Sequence, residues 1–491
     1  MPKSTRRLSC LYISFRIWRS GFVASGAINQ LRRGRFGGPR WVCRFVGELS
    51  ALSKLPQLLL RQAFAHKSSL LSIVVRGITV LAGFAIAFII GARLGPEALG
   101  AYALITQTAM FLSIVAVGGL DLSIVRHFPV DRRKGLYSVS SVVTMFAICL
   151  LLCGIIGMVV FVVGPTYLAQ FEEVDVSSFY LTILCLILLS RAFTRTTSAF
   201  LRSQRRYVFS QIVEGLLIPL PILAMIVFGM IATVREILLA TALSGIAALL
   251  VGVASSLRLT TARKDAPTTA MSALFIAAMP LWGVAIIKNF SDWYSLSVVG
   301  SQLSVADAGL FRVAWQITSA LPIITVGIYG VFSPQIGTSV AQDEPTEVAR
   351  LARTATRLSI ILAVPAILLL AASSPFLLGL IGPEFQGAQT ALFVLLAGQA
   401  VYVATGPSGI VLAIMGKQSV NLNIALAAFV LLLFAIPIGA THYGLTGVAM
   451  AIAIVTALQN LGTYIAVRKL LGIQVWSGSY DGSVNRKRMI E

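Results

Sequence analysis

The sequence predicts an all-α integral membrane fold of about twelve transmembrane helices, arranged as two parallel six-helix bundles around a central cavity. Three observations predict it. Twelve long apolar runs follow one another from about Ser69 to about Leu471, charges punctuate them with alternating bias, and a motif recurs after six runs. A bilayer core about 30 Å thick takes roughly 20 apolar residues per helix. The runs are continuous rather than alternating, so each satisfies its own backbone hydrogen bonds as a helix and not as a barrel strand.

In order, the runs fall near 70–92, 99–120, 140–163, 178–200, 209–230, 236–257, 271–297, 309–333, 357–381, 387–414, 418–439 and 444–467. The last two need separating, because residues 418–467 hold no charge over 50 positions. As one helix they would extend about 75 Å, far beyond one crossing. The break is predicted between Pro437-Ile438-Gly439 and Tyr443-Gly444.

Orientation follows from Lys and Arg in the short loops. Loops after the even-numbered runs carry fourteen of them, from Arg126, Arg132, Arg133 and Lys134 through Arg202, Arg205 and Arg206 to Lys417. The opposite loops carry only Arg93 and Arg235, among acids such as Glu97, Glu173 and Glu384. Both termini are therefore expected in the cytoplasm.

The composition agrees, at 57% hydrophobic and 12% charged. The net charge of +21 is concentrated in residues 1–68, which hold 13 of the 39 Lys and Arg and one acid, Glu48. Beside membrane spans this reads as attraction to anionic lipid headgroups, not nucleic acid. Residues 1–68 are expected to be a disordered basic cytoplasmic extension; two origins stand, a native polybasic tail and an upstream extension from a misplaced start. The predicted organisation continues with bundles over 69–260 and 271–471, a cytoplasmic linker at 261–270, and a basic tail at 472–491.

Other chemistry is thin. Cys149 and Cys153 share one run with no His or acid beside them, which argues against a metal. No phosphate-binding loop of the GxxxxGK[ST] type occurs, and no cofactor is expected.

Charges inside apolar runs carry the functional signal, since each is costly and faces a cavity or a partner. They are Arg76, Arg191, Arg195, Glu214, Lys288, Asp292 and Arg312. Five bases against two acids favour an anion, and Arg191 and Arg195 share a helical face. Arginine suits phosphate because its fork donates two parallel hydrogen bonds. Plainer readings stand beside these. Arg76 can snorkel to headgroups, Glu214 can neutralise Arg195, Lys288 and Asp292 can pair within a helix, and Arg312 can be interfacial. Gln107, Gln316, Gln399 and Tyr402 can bind sugar or join helices.

The repeat is read by placing Gly91, Leu94, Gly100, Tyr102 and Gln107 over Gly300, Leu303, Gly309, Phe311 and Gln316, at a constant shift of 209 residues. A shift of six runs preserves direction, so the halves are parallel repeats, with substrate sites expected between them. Here the sequence resembles a known family. ARLGPEALGAYAL (Ala92–Leu104), GGLDLSIVRHF (Gly118–Phe128), Asp292 through Phe311, and Gly382-Pro-Glu-Phe385 through Gly416-Lys417 are similar to segments of polysaccharide flippases of the multidrug/oligosaccharidyl-lipid/polysaccharide exporter superfamily. Arg312 departs from the family's commoner small residues.

The resemblance implies a transporter, not an enzyme, that flips an undecaprenyl-pyrophosphate-linked oligosaccharide across a bacterial inner membrane during surface polysaccharide synthesis. It implies partners in lipid-linked oligosaccharide and anionic lipid, and contact with polymerase and chain-length machinery. Two alternatives remain: a cation-coupled drug or metabolite antiporter of the same superfamily, and a membrane-embedded polymerase or glycosyltransferase. The excess of intramembrane Arg argues against the first, and the absence of an outward loop beyond about 15 residues against the second.

Overall fold

The computed structural model describes residues 67–131, 139–171, 178–260 and 271–482. The chain divides into Met1–Ile73, of which only the opening of the first helix is described, and Val74–Glu491, to which everything below refers. The linker at 261–270, the acids Glu172, Glu173 and Asp175, and Arg132, Arg133, Lys134 and Lys264 lie outside the described residues.

The elements are helical almost throughout. They are α1 (Lys67–Val117), α2 (Leu120–Asp131), α3 (Val139–Leu168), α4 (Ser178–Ser203), α5 (Tyr207–Gln211), a π-turn (Ile212–Leu216), α6 (Pro219–Val227) and α7 (Val234–Leu257). Then follow α8 (Met271–Gln302), α9 (Val305–Ser319), α10 (Pro322–Ala341), α11 (Pro345–Ile381), a 3-10 turn (Pro383–Ala388), α12 (Gln389–Ala404), α13 (Ser408–Ile414) and α14 (Gln418–Leu471). Among the described residues, eight helices are long and apolar enough to cross a membrane. Tyr207–Leu216 with Pro219–Val227, bent by 47°, makes a ninth if counted as one span.

Local chemistry sets the boundaries. Thr233 and Glu236 form a reciprocal cap at the start of α7: Glu236 N–H donates to Thr233 Oγ1 and Thr233 N–H to Glu236 Oε2. Ser304 starts α9 by accepting from Asp307 N–H at 2.9 Å. Gly118 and Gly119 both adopt positive φ, which lets the chain turn from α1 into α2.

Two long helices are broken at glycine. In α14, Gly444 is non-helical, and a Cβ on Gly447 would lie 1.9 Å from the Gly439 carbonyl oxygen. In an unbroken helix those residues are about 12 Å apart. A Cβ on Gly462 would likewise meet Ile424 at 3.3 Å. The arms of α14 are therefore antiparallel, and the turn at Gly444 falls within the break expected between Pro437 and Gly444. In α1 the break is Gly95, followed by Pro96, which suits the first position of a new helical segment.

Small residues set the closest packing. A Cβ on Gly245 would meet Ser190 Oγ at 2.3 Å and one on Gly252 would meet Thr197 Oγ1 at 2.6 Å, so α7 and α4 run side by side in the same direction. Large apolar side chains point away from the protein, as at Met158, Val162, Leu369 and Phe376, each about 70% exposed. On a spanning helix such a face meets lipid. Helix α8 is tied to earlier elements by polar and aromatic contacts. Trp293 donates to Thr108 at 3.0 Å and stacks on Phe111, and Tyr167 bridges Thr108 and Ser297.

Residues 472–482, read from sequence as part of a basic tail, include a short hairpin. Ile473 pairs with Tyr480 and Gln474 with Ser479. Ile473 and Val475 are fully buried, and Gly478 lies against the Arg353 side chain of α11.

Candidate functional site

A cavity of about 630 Å³ is enclosed chiefly by α1, α4, the π-turn, α6 and α7, with Arg312 and Gln316 of α9 on one side. Both arms of α1 contribute, from Arg76 to Ala87 and from Leu99 to Ser113. A straight helix would separate Arg76 from Ser113 by about 55 Å, so the break at Gly95 is what brings them to one space. The lining of α4 extends from Ile187 to Arg202, a depth of about 22 Å along the helix.

Five arginines and one glutamate line this space: Arg76, Arg191, Arg195, Arg202, Arg312 and Glu214. The lining carboxylate and that of Asp121 are engaged in ion pairs, while Asp292 of α8 acts on Arg312 through space without a bridging contact. Glu214 Oε2 accepts from Arg202 Nη1 at 2.8 Å and from Ser198 Oγ at 2.6 Å. Asp121, at the first turn of α2, accepts from Arg195 Nη2 at 3.1 Å. The reading that Glu214 neutralises Arg195 therefore gives way to a different pairing. Arg195 reaches across to α2 while Arg202, deeper in sequence by two turns, takes Glu214.

That leaves Arg76, Arg191 and Arg312 without a carboxylate within bridging distance among the described residues. Arg191 is partly buried and has no side-chain hydrogen bond there. Arg312 has one long contact, 3.4 Å to Gln107 Oε1. Arg76 is exposed, on the arm of α1 whose Thr79 meets Gly215 of the π-turn. A π-turn inserts one residue into a helix and re-aims its neighbours; this one carries Glu214 toward Arg202.

Lys288 and Asp292 lie on α8 outside the lining, with Lys288 exposed and Asp292 partly buried. From sequence, Arg202 reads as an orientation marker in a loop. The signal for a role in the site is its spacing: Arg191, Arg195, Ser198 and Arg202 are 4, 3 and 4 apart, which is one continuous stripe on a helix. No group of three or more metal-ligating side chains occurs among the described residues.

The two repeat motifs touch each other directly. A Cβ on Gly100 would lie 1.8 Å from the Val305 carbonyl oxygen, and one on Gly309 would lie 2.0 Å from that of Pro96. With the 209-residue shift, Val305 corresponds to Pro96 and Gly309 to Gly100, so the contact is reciprocal. Beside it, Gly91 packs on Ile381 and Phe385.

Long apolar helices enclose this arginine-lined cavity, in a fold that the chain shares with solved membrane proteins. The fold is similar to that of a multidrug resistance MATE family transporter of the MOP superfamily in its inward-facing conformation. The TM-score is 0.63 at 16% identity, covering 81% of this chain and 97% of that one. It is also similar to the lipid II flippase MurJ in an inward closed conformation, with a TM-score of 0.66 at 11% identity over 82% and 88% of the two chains. A third likeness is the MATE multidrug transporter DinF-BH in complex with R6G, at 0.58 and 18% identity, over 84% and 96%. No curated protein matches the sequence. The chain belongs to the family described as polysaccharide biosynthesis protein, whose model matches residues 90–388.

Proposed function

We infer that this protein is a flippase for a lipid-linked oligosaccharide, carrying an undecaprenyl-pyrophosphate glycan across a bacterial inner membrane for surface polysaccharide synthesis. The observation that carries this reading is the charge imbalance of the cavity. Arg76, Arg191 and Arg312 face a shared space whose carboxylates are engaged elsewhere. A pyrophosphate supplies the missing negative charge. At 4 Å a unit pair attracts by about 1 kcal/mol in water and about 4 kcal/mol at an effective dielectric constant of 20, so a partly enclosed site holds a dianion where the same charges in solvent would not. The family's link to polysaccharide synthesis supports a glycan as the cargo.

Twelve crossings are the count we favour. The nine helices of spanning length become eleven when α1 and α14 are each divided at their glycine, and α8 is the twelfth. The loop charges then put both termini in the cytoplasm. The reciprocal Gly100–Gly309 contact supports two parallel halves, 69–260 and 271–471, joined by 261–270 and related by a local two-fold. Transport follows if these halves rock, exposing the arginines to each side in turn, while the lipid tail stays in the bilayer. A cationic drug would meet the wrong sign of charge in this cavity, which disfavours the antiporter reading.

Arg191→Ala tests the site. Expected are normal abundance in the membrane, accumulation of lipid-linked glycan inside the cell and loss of surface polymer, with partial activity in Arg191→Lys because charge survives without the planar fork. Normal export by a well-expressed Arg191→Ala protein would remove Arg191 from the anion site.

A further inference from the structure

We propose that Gln107 and Gln316 form a paired subsite for the uncharged hydroxyl and acetamido groups of the sugar next to the pyrophosphate. The proposal rests on the flippase reading above and names what recognises the glycan end of that cargo.

The placement comes from the repeat. Gly100 and Gly309 meet reciprocally, each approaching the other half's backbone. Gln107 and Gln316 lie seven residues further along their helices. Seven residues are two turns, so each carboxamide lies on the same face as its glycine and about 10 Å deeper. Both line the cavity. The local two-fold thus sets one amide from each half beneath the closed contact, facing one space.

Their hydrogen bonding is unlike that of their neighbours. Thr106, Thr108 and Thr318 on the same helices all donate to a backbone carbonyl one turn back. Their hydroxyl protons are spent within their own helix. A glutamine carboxamide offers two donors and an acceptor with two lone pairs. Gln316 Oε1 is buried and has no partner, and Gln107 has only the 3.4 Å contact from Arg312. An amide that joins helices spends its hydrogen bonds on the partner helix; Gln107 does so only through the long contact from Arg312, and Gln316 Oε1 does not at all. Buried polar groups are normally paired, so the unpaired Gln316 Oε1, with Gln107 at the equivalent position of the same cavity, marks a place where a polar ligand completes them.

The chemistry of that ligand follows from the neighbours. Amides donate to and accept from neutral hydroxyl and acetamido groups without charge preference. Arg312 stands between the two functions: it is one turn before Gln316 and its guanidinium reaches Gln107. A phosphate on Arg312 therefore brings the first sugar attached to it against both amides.

The test uses full-length protein in lipid nanodiscs, with Gln107→Leu, Gln316→Leu and Arg191→Ala as separate variants. The probes are undecaprenyl pyrophosphate alone and undecaprenyl pyrophosphate bearing one N-acetylhexosamine, with dissociation constants measured for each. Either Leu variant should weaken the sugar-bearing probe about tenfold more than the bare probe, a difference of about 1.4 kcal/mol. Arg191→Ala should weaken both probes. Equal loss on both probes in the Leu variants, no loss on either, or a wild type with no preference for the sugar-bearing probe overturns the subsite. Unchanged binding of both probes to Arg191→Ala overturns the pyrophosphate site instead, and the Leu variants still read the sugar contact. If one Leu variant fails to fold, the other reads the same contact, and Gln316→Asn shortens the amide without removing it.

Discussion

Gly100→Ala should push the two repeat motifs apart. The added Cβ would lie 1.8 Å from the Val305 carbonyl oxygen and 3.0 Å from Gly309 N, where ordinary contact begins at 3.4 Å. Both atoms belong to backbone, so no rotamer change relieves the overlap, and the helices must separate by more than an ångström. Overpacking of a tight contact costs about 1–3 kcal/mol. A cost of about 2 kcal/mol shifts an equilibrium between touching and parted motifs roughly thirtyfold. Helix propensity acts in the opposite sense, favouring Ala over Gly by about 1 kcal/mol. Gly154→Ala isolates that term, because nothing lies within 4 Å of a Cβ there. Spin labels at Glu97 and Gln302, both exposed and flanking the contact, read the separation by pulsed dipolar spectroscopy. Gly100→Ala should add a longer-distance population that Gly154→Ala does not. Identical distributions in Gly100→Ala and the parent protein, both folded, would refute the idea that this contact holds the motifs together.

Asp121→Asn should destabilise the protein, because it leaves Arg195 without the carboxylate at 3.1 Å. A fully buried pair broken on one side costs about 3–5 kcal/mol. Arg195 keeps a quarter of its side-chain exposure, so about 2–3 kcal/mol is expected. Thermal unfolding in detergent checks this, and Asp121→Asn with Arg195→Leu should recover most of the loss; an unchanged melting temperature in the single variant would show the pair to be idle. For topology, a cysteine at Glu384 should react with an impermeant thiol reagent added outside intact cells, while one at Arg205 should react only after permeabilisation. The reverse pattern would invert the proposed orientation.

The membrane class was legible in the sequence because a bilayer leaves a segment few choices. The breaks in the two longest helices were legible for a related reason. Gly95-Pro96 lies between two separate apolar runs, Gly444 interrupts one too long for a single crossing, and those residues tolerate the backbone needed to turn. Less visible was the hairpin at Ile473–Tyr480, since two-residue strands leave no periodic signal and depend on packing against α11. The π-turn was also hidden, because its sequence reads as ordinary helix and only the bend before Pro219 marks it.

The charges of the site were legible as residues but not as partners. Intramembrane arginine is conspicuous by cost alone, so Arg76, Arg191, Arg195 and Arg312 stand out in any reading of the chain. Who neutralises whom depends on distances between helices, which no single run contains. Asp121 lies 74 positions before Arg195 and reaches it only because the Gly118-Gly119 turn brings α2 beside α4. Glu214 and Arg202 meet because a π-turn re-aims one helix toward the stripe on another. Once those two pairs are formed, the remaining arginines of the lining have no bridging carboxylate, and only Asp292 of α8 acts on Arg312 through space. The charge imbalance is thus a property of pairing rather than of composition. It turns a general excess of arginine into three particular guanidinium groups available to one anion.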